Sequence, residues 1–150
     1  MTESGSAENE FRAKFLPAAG GGAAIKSLIR RSMELRERPE AFIHLFCPDA
    51  VLHMVGDRRQ CRFYGTYQGH DEILGLLHDV DAEFERRDQR LLNAVVDGNG
   101  FAIRRLVEIQ HRGSSESALV VVGHVARTRA GLFEEVFEYA DTATFVRLMG

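Results

Sequence analysis

Two cysteines are too few for a disulfide framework in a chain of 150 residues, and Cys47 and Cys61 stand too far apart for a Cys-x-x-Cys redox or zinc element. They are expected to be reduced, in a cytoplasmic protein. Neither sign of charge dominates: 19 Lys plus Arg face 22 Asp plus Glu, a net charge of -3, and the basic residues are scattered. Nucleic acid and acidic membrane surfaces are therefore not expected partners. No apolar run approaches membrane-spanning length, and the first 22 residues carry acidic side chains where an export signal needs positive ones. No His pair stands four apart on an expected helix, and His70 with His78 makes no compact ligand set, so no metal is expected. Gly-x-Ser-x-Gly, phosphate-loop and dinucleotide fingerprints are also missing, and no cofactor is indicated.

What is present is enough for one domain, since a chain of this length buries roughly 70% of the surface it exposes when unfolded. Residues 1–22 mix Ser, Glu, Asn and Gly and read as a flexible arm in which Phe11, Phe15 and Leu16 could dock. From residue 23 to the end the pattern is that of a single α+β domain. Ile25, Leu28, Ile29, Ser32 and Leu35 share one helical face, and Pro39 opens a second helix whose apolar side holds Phe42, Leu45 and Phe46 until Pro48. Val51–Val55 reads as a strand, with a return strand near Arg62–Tyr67. Asp71 and Glu72 suit the first turn of a third helix, with Ile73, Leu77, Val80 and Phe84 as its buried stripe, fading by about Asp88. The strands that follow are expected at 90–96, 101–111, 117–128 and 132–140, separated by turn clusters. Helices followed by long hairpins predict a curved antiparallel sheet over N-terminal helices, enclosing a pocket.

Centring one turn on Ser114 and the next on Ala130 aligns the hairpins. Arg104 then faces His124, Glu108 faces Val120, and Val122 faces Glu138, all on one side of the sheet. Strand 117–128 is apolar on both faces, although an antiparallel sheet usually leaves one wet. Helices can cover one face, and a second subunit is the simplest cover for the other, so a homodimer is expected.

Ala50-Val51-Leu52-His53-Met54-Val55-Gly56, followed by Gly65-Thr66-Tyr67-Gln68-Gly69-His70-Asp71-Glu72-Ile73, resembles blocks of SnoaL-like proteins, relatives of nuclear transport factor 2 and ketosteroid isomerase. Glu138-Tyr139-Ala140-Asp141-Thr142 is similar to the acidic-Tyr-x-Asp ending of the epoxide hydrolase and polyketide cyclase branches. The order of elements agrees over residues 23–149. The resemblance implies a cone-shaped, cystatin-like α+β fold with a hydrophobic pocket, usually dimeric, and a choice among cyclases, isomerases, hydrolases and non-catalytic binders. It implies that Glu138 matches an acid that helps activate water in limonene epoxide hydrolase, with Glu108 near that enzyme's second acid. Leu106 stands where that enzyme has an Arg, which argues against epoxide hydrolysis.

Glu108, Glu138 and His53 are thus the candidate catalytic groups, for proton transfer next to a carbonyl of a small apolar or polycyclic ligand. Burial would raise a carboxyl's pKa and make it a poised base, or a neutral donor to an oxyanion as in ketosteroid isomerase. The alternative is that both acids are solvated strand residues. Arg104, His124, Tyr64, Val122 and Phe46 are the candidate substrate contacts. For His124 the competing description is a histidine that packs and bonds locally, and for Arg104 a surface ion pair.

Overall fold

The computed structural model describes residues 3–13 and 22–150. Its helices are α1 (Glu3–Ala13), α2 (Ala23–Leu35), α3 (Pro39–Phe42), α4 (Gly69–Glu83) and α5 (Thr142–Met149), with a 3-10 turn at Ile43–Leu45. Its strands are β1 (Phe46–Met54), β2 (Gly65–Gln68), β3 (Phe84–Asp97), β4 (Gly100–His111), β5 (Ser117–Arg129) and β6 (Leu132–Ala140). They form one sheet in the order β2-β1-β6-β5-β4-β3. Its neighbours are antiparallel except β1 and β6, which run parallel, so the sheet is mixed where sequence predicts an antiparallel one.

Residues 3–13, expected within a flexible arm, form a helix; Phe11 packs at the edge of the core, with Arg30 stacked 4.7 Å above its ring. Phe15 and Leu16 lie outside the described residues. In α2, Ile25, Leu28 and Ile29 are buried as their spacing predicts, and Pro39 sits in the first turn of α3, where its missing N–H costs nothing. Strand β1 starts before Pro48 rather than after it. The register against β6 shifts between Phe46 and Val51, a bulge that accommodates a residue with no N–H to give the ladder. Helix α4 stops at Glu83, earlier than predicted, and β3 begins at Phe84. The charged run Glu85–Arg90 is recruited into the sheet by pairing with β4, a case of tertiary pairing overriding local composition. At the chain end Asp141 caps α5 by accepting the Thr144 N–H at 3.2 Å, and Leu148 is buried beneath it.

The hairpin registers decide which side chains face inward. Six residues, 111–116, lie between the paired ends Gln110 and Ser117, so the turn is centred between Gly113 and Ser114 instead of on Ser114. That one-residue difference turns β4 over relative to the expectation. Arg105 pairs with Val122, and Glu108 pairs with the exposed Leu119. The next turn has two residues, Ala130 and Gly131, both at positive φ as a tight hairpin requires. A bulge at Arg127/Thr128 then adds the residue that restores the expected faces of β5 and β6, with His124 opposite Glu138.

The inner face therefore holds Ile103, Val107, Val120, Val122 and Val136, all buried against the helices. Leu28, Ile29 and Ile73 complete the core with no exposed surface. The outer face leaves Leu119, Val121, Val125 and Tyr139 exposed, Leu119 at 63%. Among the described residues no helix is long and apolar enough to cross a membrane.

Candidate functional site

Two adjoining hollows, of about 90 and 60 Å³, lie between the helices and the inner face of the sheet. Met54, Val80, Arg86, Arg105 and Glu138 line both, so these residues form the waist between two chambers. Phe46, Phe101 and Phe133 wall the first chamber; Tyr64, Phe84 and Val122 wall the second.

The waist is polar. His124 on β5 and Glu138 on β6 are directly paired, and Nε2 lies 2.7 Å from Oε1. A carboxylate only accepts, so Nε2 carries the proton and donates it, leaving the lone pair on Nδ1. Burial would raise the pKa of Glu138, but the hydrogen bond from His124 and the guanidiniums of Arg105 and Arg86 outweigh it and hold the carboxyl at about 2. Burial lowers His124, and Arg105 and Arg36 add to the effect against the opposing pull of Glu138. Part of the Glu138 shift comes from the charge of a protonated His124, so a neutral ring leaves it smaller. With burial and two guanidiniums disfavouring its charge, a neutral imidazole beside an ionised carboxylate is the state that fits.

Arg105 comes from β4 and points inward beside Glu138. Burial, with Arg86 and Arg36 nearby, lowers its pKa to about 10 despite Glu138, so it remains charged at neutral pH. Arg36, at the end of α2, and Arg86, on β3, share Asp81 of α4: Arg36 reaches both carboxylate oxygens at 3.2 Å and Arg86 reaches Oδ1 at 2.7 Å. Although these groups lie deep in the fold, His124 and Glu138 keep 13% and 22% of their side-chain surface, because they border the hollow.

Of the residues singled out from sequence, Glu138, His124, Val122, Phe46 and Tyr64 border the chambers. Tyr64 is fixed there by a 2.8 Å hydrogen bond between its hydroxyl and Thr142 Oγ1. Glu108, Arg104 and His53 do not border them, and their expected places are corrected. Glu108 alternates with the buried Val107 and Ile109 and so faces out, a consequence of the turn centre. Arg104 is exposed and donates to Asn93 Oδ1 at 3.0 Å. His53 alternates with Leu52 and Met54, which line the first chamber. On the outer face its ring stacks on Phe137 at 4.2 Å, with Nε2 2.9 Å from Glu135 and Nδ1 3.1 Å from Thr66. The raised carboxyl pKa expected from burial is overturned for Glu138, because a histidine and two arginines surround it.

Sequence reasoning missed Arg36, Asp81, Arg86 and Arg105. One signal was available: Ser32 and Arg36 continue the α2 stripe of Ile25, Leu28 and Ile29, a polar break on a core-facing side. Among the described residues no three His, Cys, Asp or Glu side chains stand close enough to hold a metal ion.

This architecture, helices closing a bent mixed sheet over a polar-waisted hollow, is the fold of the nuclear transport factor 2-like, ketosteroid isomerase-like and SnoaL-like proteins. A nuclear transport factor 2-like protein of unknown function from Burkholderia pseudomallei is 21% identical, with 85% of this chain and 98% of that one covered, at a TM-score of 0.73. TerC co-crystallized with polyporic acid is 19% identical, with 84% and 97% covered, at 0.73. A protein described as an isomerase candidate from Rhodopseudomonas palustris is 12% identical, with 83% and 94% covered, at 0.72. At these identities the likeness is one of fold. No protein-family model matches the chain, and no curated protein matches it.

Proposed function

We propose that the protein binds a small, largely apolar carbonyl compound at the waist of the cavity and moves a proton at the carbon beside the carbonyl, as an isomerase or aldol-type cyclase does. The observation that carries this reading is the half-buried 2.7 Å hydrogen bond between His124 and Glu138 at the polar waist of a cavity with apolar walls. With Nε2–H committed to Glu138, His124 Nδ1 takes the proton. The C–H electron pair becomes the enolate, whose oxygen bears the negative charge, and Arg105 stabilises that charge in a water-poor site. Return of the proton to another carbon gives an isomer; attack of the enolate carbon on a second carbonyl gives a ring. Glu138, held far below neutral pH, is too weak a base itself and acts as the positioning partner that orients the ring and balances the imidazolium. A fold neighbour crystallized with a small organic acid and another described as an isomerase candidate support a cavity of this use.

The test is proton exchange into heavy water, followed by NMR over a panel of cyclic ketones and 1,3-diones. Exchange at the α-carbon is expected with the native protein and falls by roughly 10²–10⁴ in His124→Gln, the usual contribution of a general base. His53→Gln and Glu108→Gln leave it unchanged. Absence of exchange, or exchange indifferent to His124→Gln, rejects the reading.

One observation favours a second reading, a non-catalytic binder: both carboxylates at the waist already have partners, Asp81 in two guanidiniums and Glu138 in His124. Thermal stabilisation by ring compounds without exchange would select it. On either reading we take the outer sheet face to be covered by a second copy of the chain. We take the protein to be cytoplasmic, a compartment in which unpaired cysteines stay reduced.

A further inference from the structure

Among the described residues, Arg105 is the cation at the waist that makes no ion pair within 4.0 Å and leaves a buried donor unpartnered. Its Nη1 donates to Gln89 Oε1 at 2.8 Å, while Nε is buried without a hydrogen-bond partner among the described residues. No described residue accepts from Nη2 either, and Nη2 is not among the buried unpartnered atoms, so it retains accessible surface at the cavity. Nη2 is therefore the donor of Arg105 that a carboxylate or another acidic oxygen in the cavity can reach, with the guanidinium's charge behind it. Arg36 and Arg86 differ from Arg105 because Asp81 occupies both.

The charge inventory agrees. Arg36, Arg86 and Arg105 bring three positive charges to the waist, against one each on Asp81 and Glu138, with His124 neutral. One positive charge is left over in a cavity walled by phenylalanine, leucine and valine. An excess positive charge shared by three guanidiniums in such a cavity calls for a ligand that supplies one negative charge.

We infer that the cavity selects monoanionic ring compounds, a planar carboxylic acid or an acidic enol, and holds the anionic end against the guanidinium of Arg105, with Nη2 as the donor it reaches. The inference uses the same cavity as the proposed proton transfer and narrows its substrate class: the compound enters as an anion, and Arg105 is its anchor. Phe46, Phe101 and Phe133 on one side and Val122 and Tyr64 on the other receive the ring.

Titration calorimetry at pH 7 and low salt, with 2-naphthoate and its uncharged isostere 2-naphthamide, tests this. The acid is expected to bind the native protein at least tenfold more tightly than the amide. Arg105→Gln removes that preference and Arg105→Lys retains part of it, since lysine keeps the charge but not the guanidinium. The native comparison alone decides the matter if a variant fails to fold. Equal binding of acid and amide, no binding of the acid at millimolar concentration, or a preference that survives Arg105→Gln overturns the inference. The outcome is separable from proton transfer: exchange of neutral ketones without acid preference defeats the anion site alone, and acid preference without exchange defeats the reaction alone.

Discussion

At the scale of single residues, the waist works through groups that shift one another. Glu138 stays ionised down to about 2, against an ordinary 4.5, and His124 stays neutral below its ordinary 6.5. At both sites the unfolded chain takes up protons at a higher pH than the folded one, so acid favours unfolding. The melting temperature is expected to hold above pH 7, to fall as pH drops below about 6.5 through His124, and to fall further below about 4.5 through Glu138 and Asp81, whose carboxyl the two arginines also depress despite burial. The Glu138 share amounts to at most about 3 kcal/mol, fully present above 4.5 and lost as pH approaches 2. Thermal melts of native protein and Glu138→Gln across pH 3–8 check this: the variant's curve should be flatter at the acid end. Identical slopes would show that the carboxylate is not held by its neighbours.

At the scale of elements, the sequence signals that survived were those with local physical causes. The α2 stripe, Pro39 at a helix start, the acidic first turn of α4 and the break between strands at Ala130-Gly131 are all found where their chemistry requires them. Signals set by long-range pairing were illegible. Glu85–Arg90 reads as a charged helix end and is a strand, because β4 supplies its partner. Glu108 was misplaced for the same reason: a strand's periodicity says that two faces alternate, and only the turn centre says which is inside; His53 lies on the other face from its neighbours Leu52 and Met54, which line the chamber. Glu138 and His124 reached the cavity by parity, since a bulge compensated the turn.

The motif glycine at 56 has a packing cause. A Cβ there would stand 2.3 Å from the Tyr64 ring, which walls the second chamber. Gly56→Ala is expected to push Tyr64 off Thr142 and cost about 1–3 kcal/mol, the usual range for overpacking. Chemical denaturation measures it, and a neutral substitution would mean that the ring moves freely.

At the scale of the whole molecule, one sheet face builds the cavity and the other is left with large apolar side chains in water. Leu119, Val121 and Val125 lie along β5, with Tyr139 beside them on β6. Sedimentation should find two copies, and Leu119→Glu should drive them apart without changing the fold. A native monomer would instead leave the face open to another partner.

The central claim is that a neutral imidazole, hydrogen-bonded to an ionised carboxylate, stands at the waist of an apolar hollow. The most direct measurement is 15N NMR of the histidine side chains through a pH titration. The account predicts that His124 titrates below 6.5 and holds its proton on Nε2 at neutral pH. A His124 that titrates above 6.5, or carries its neutral-form proton on Nδ1, would contradict it.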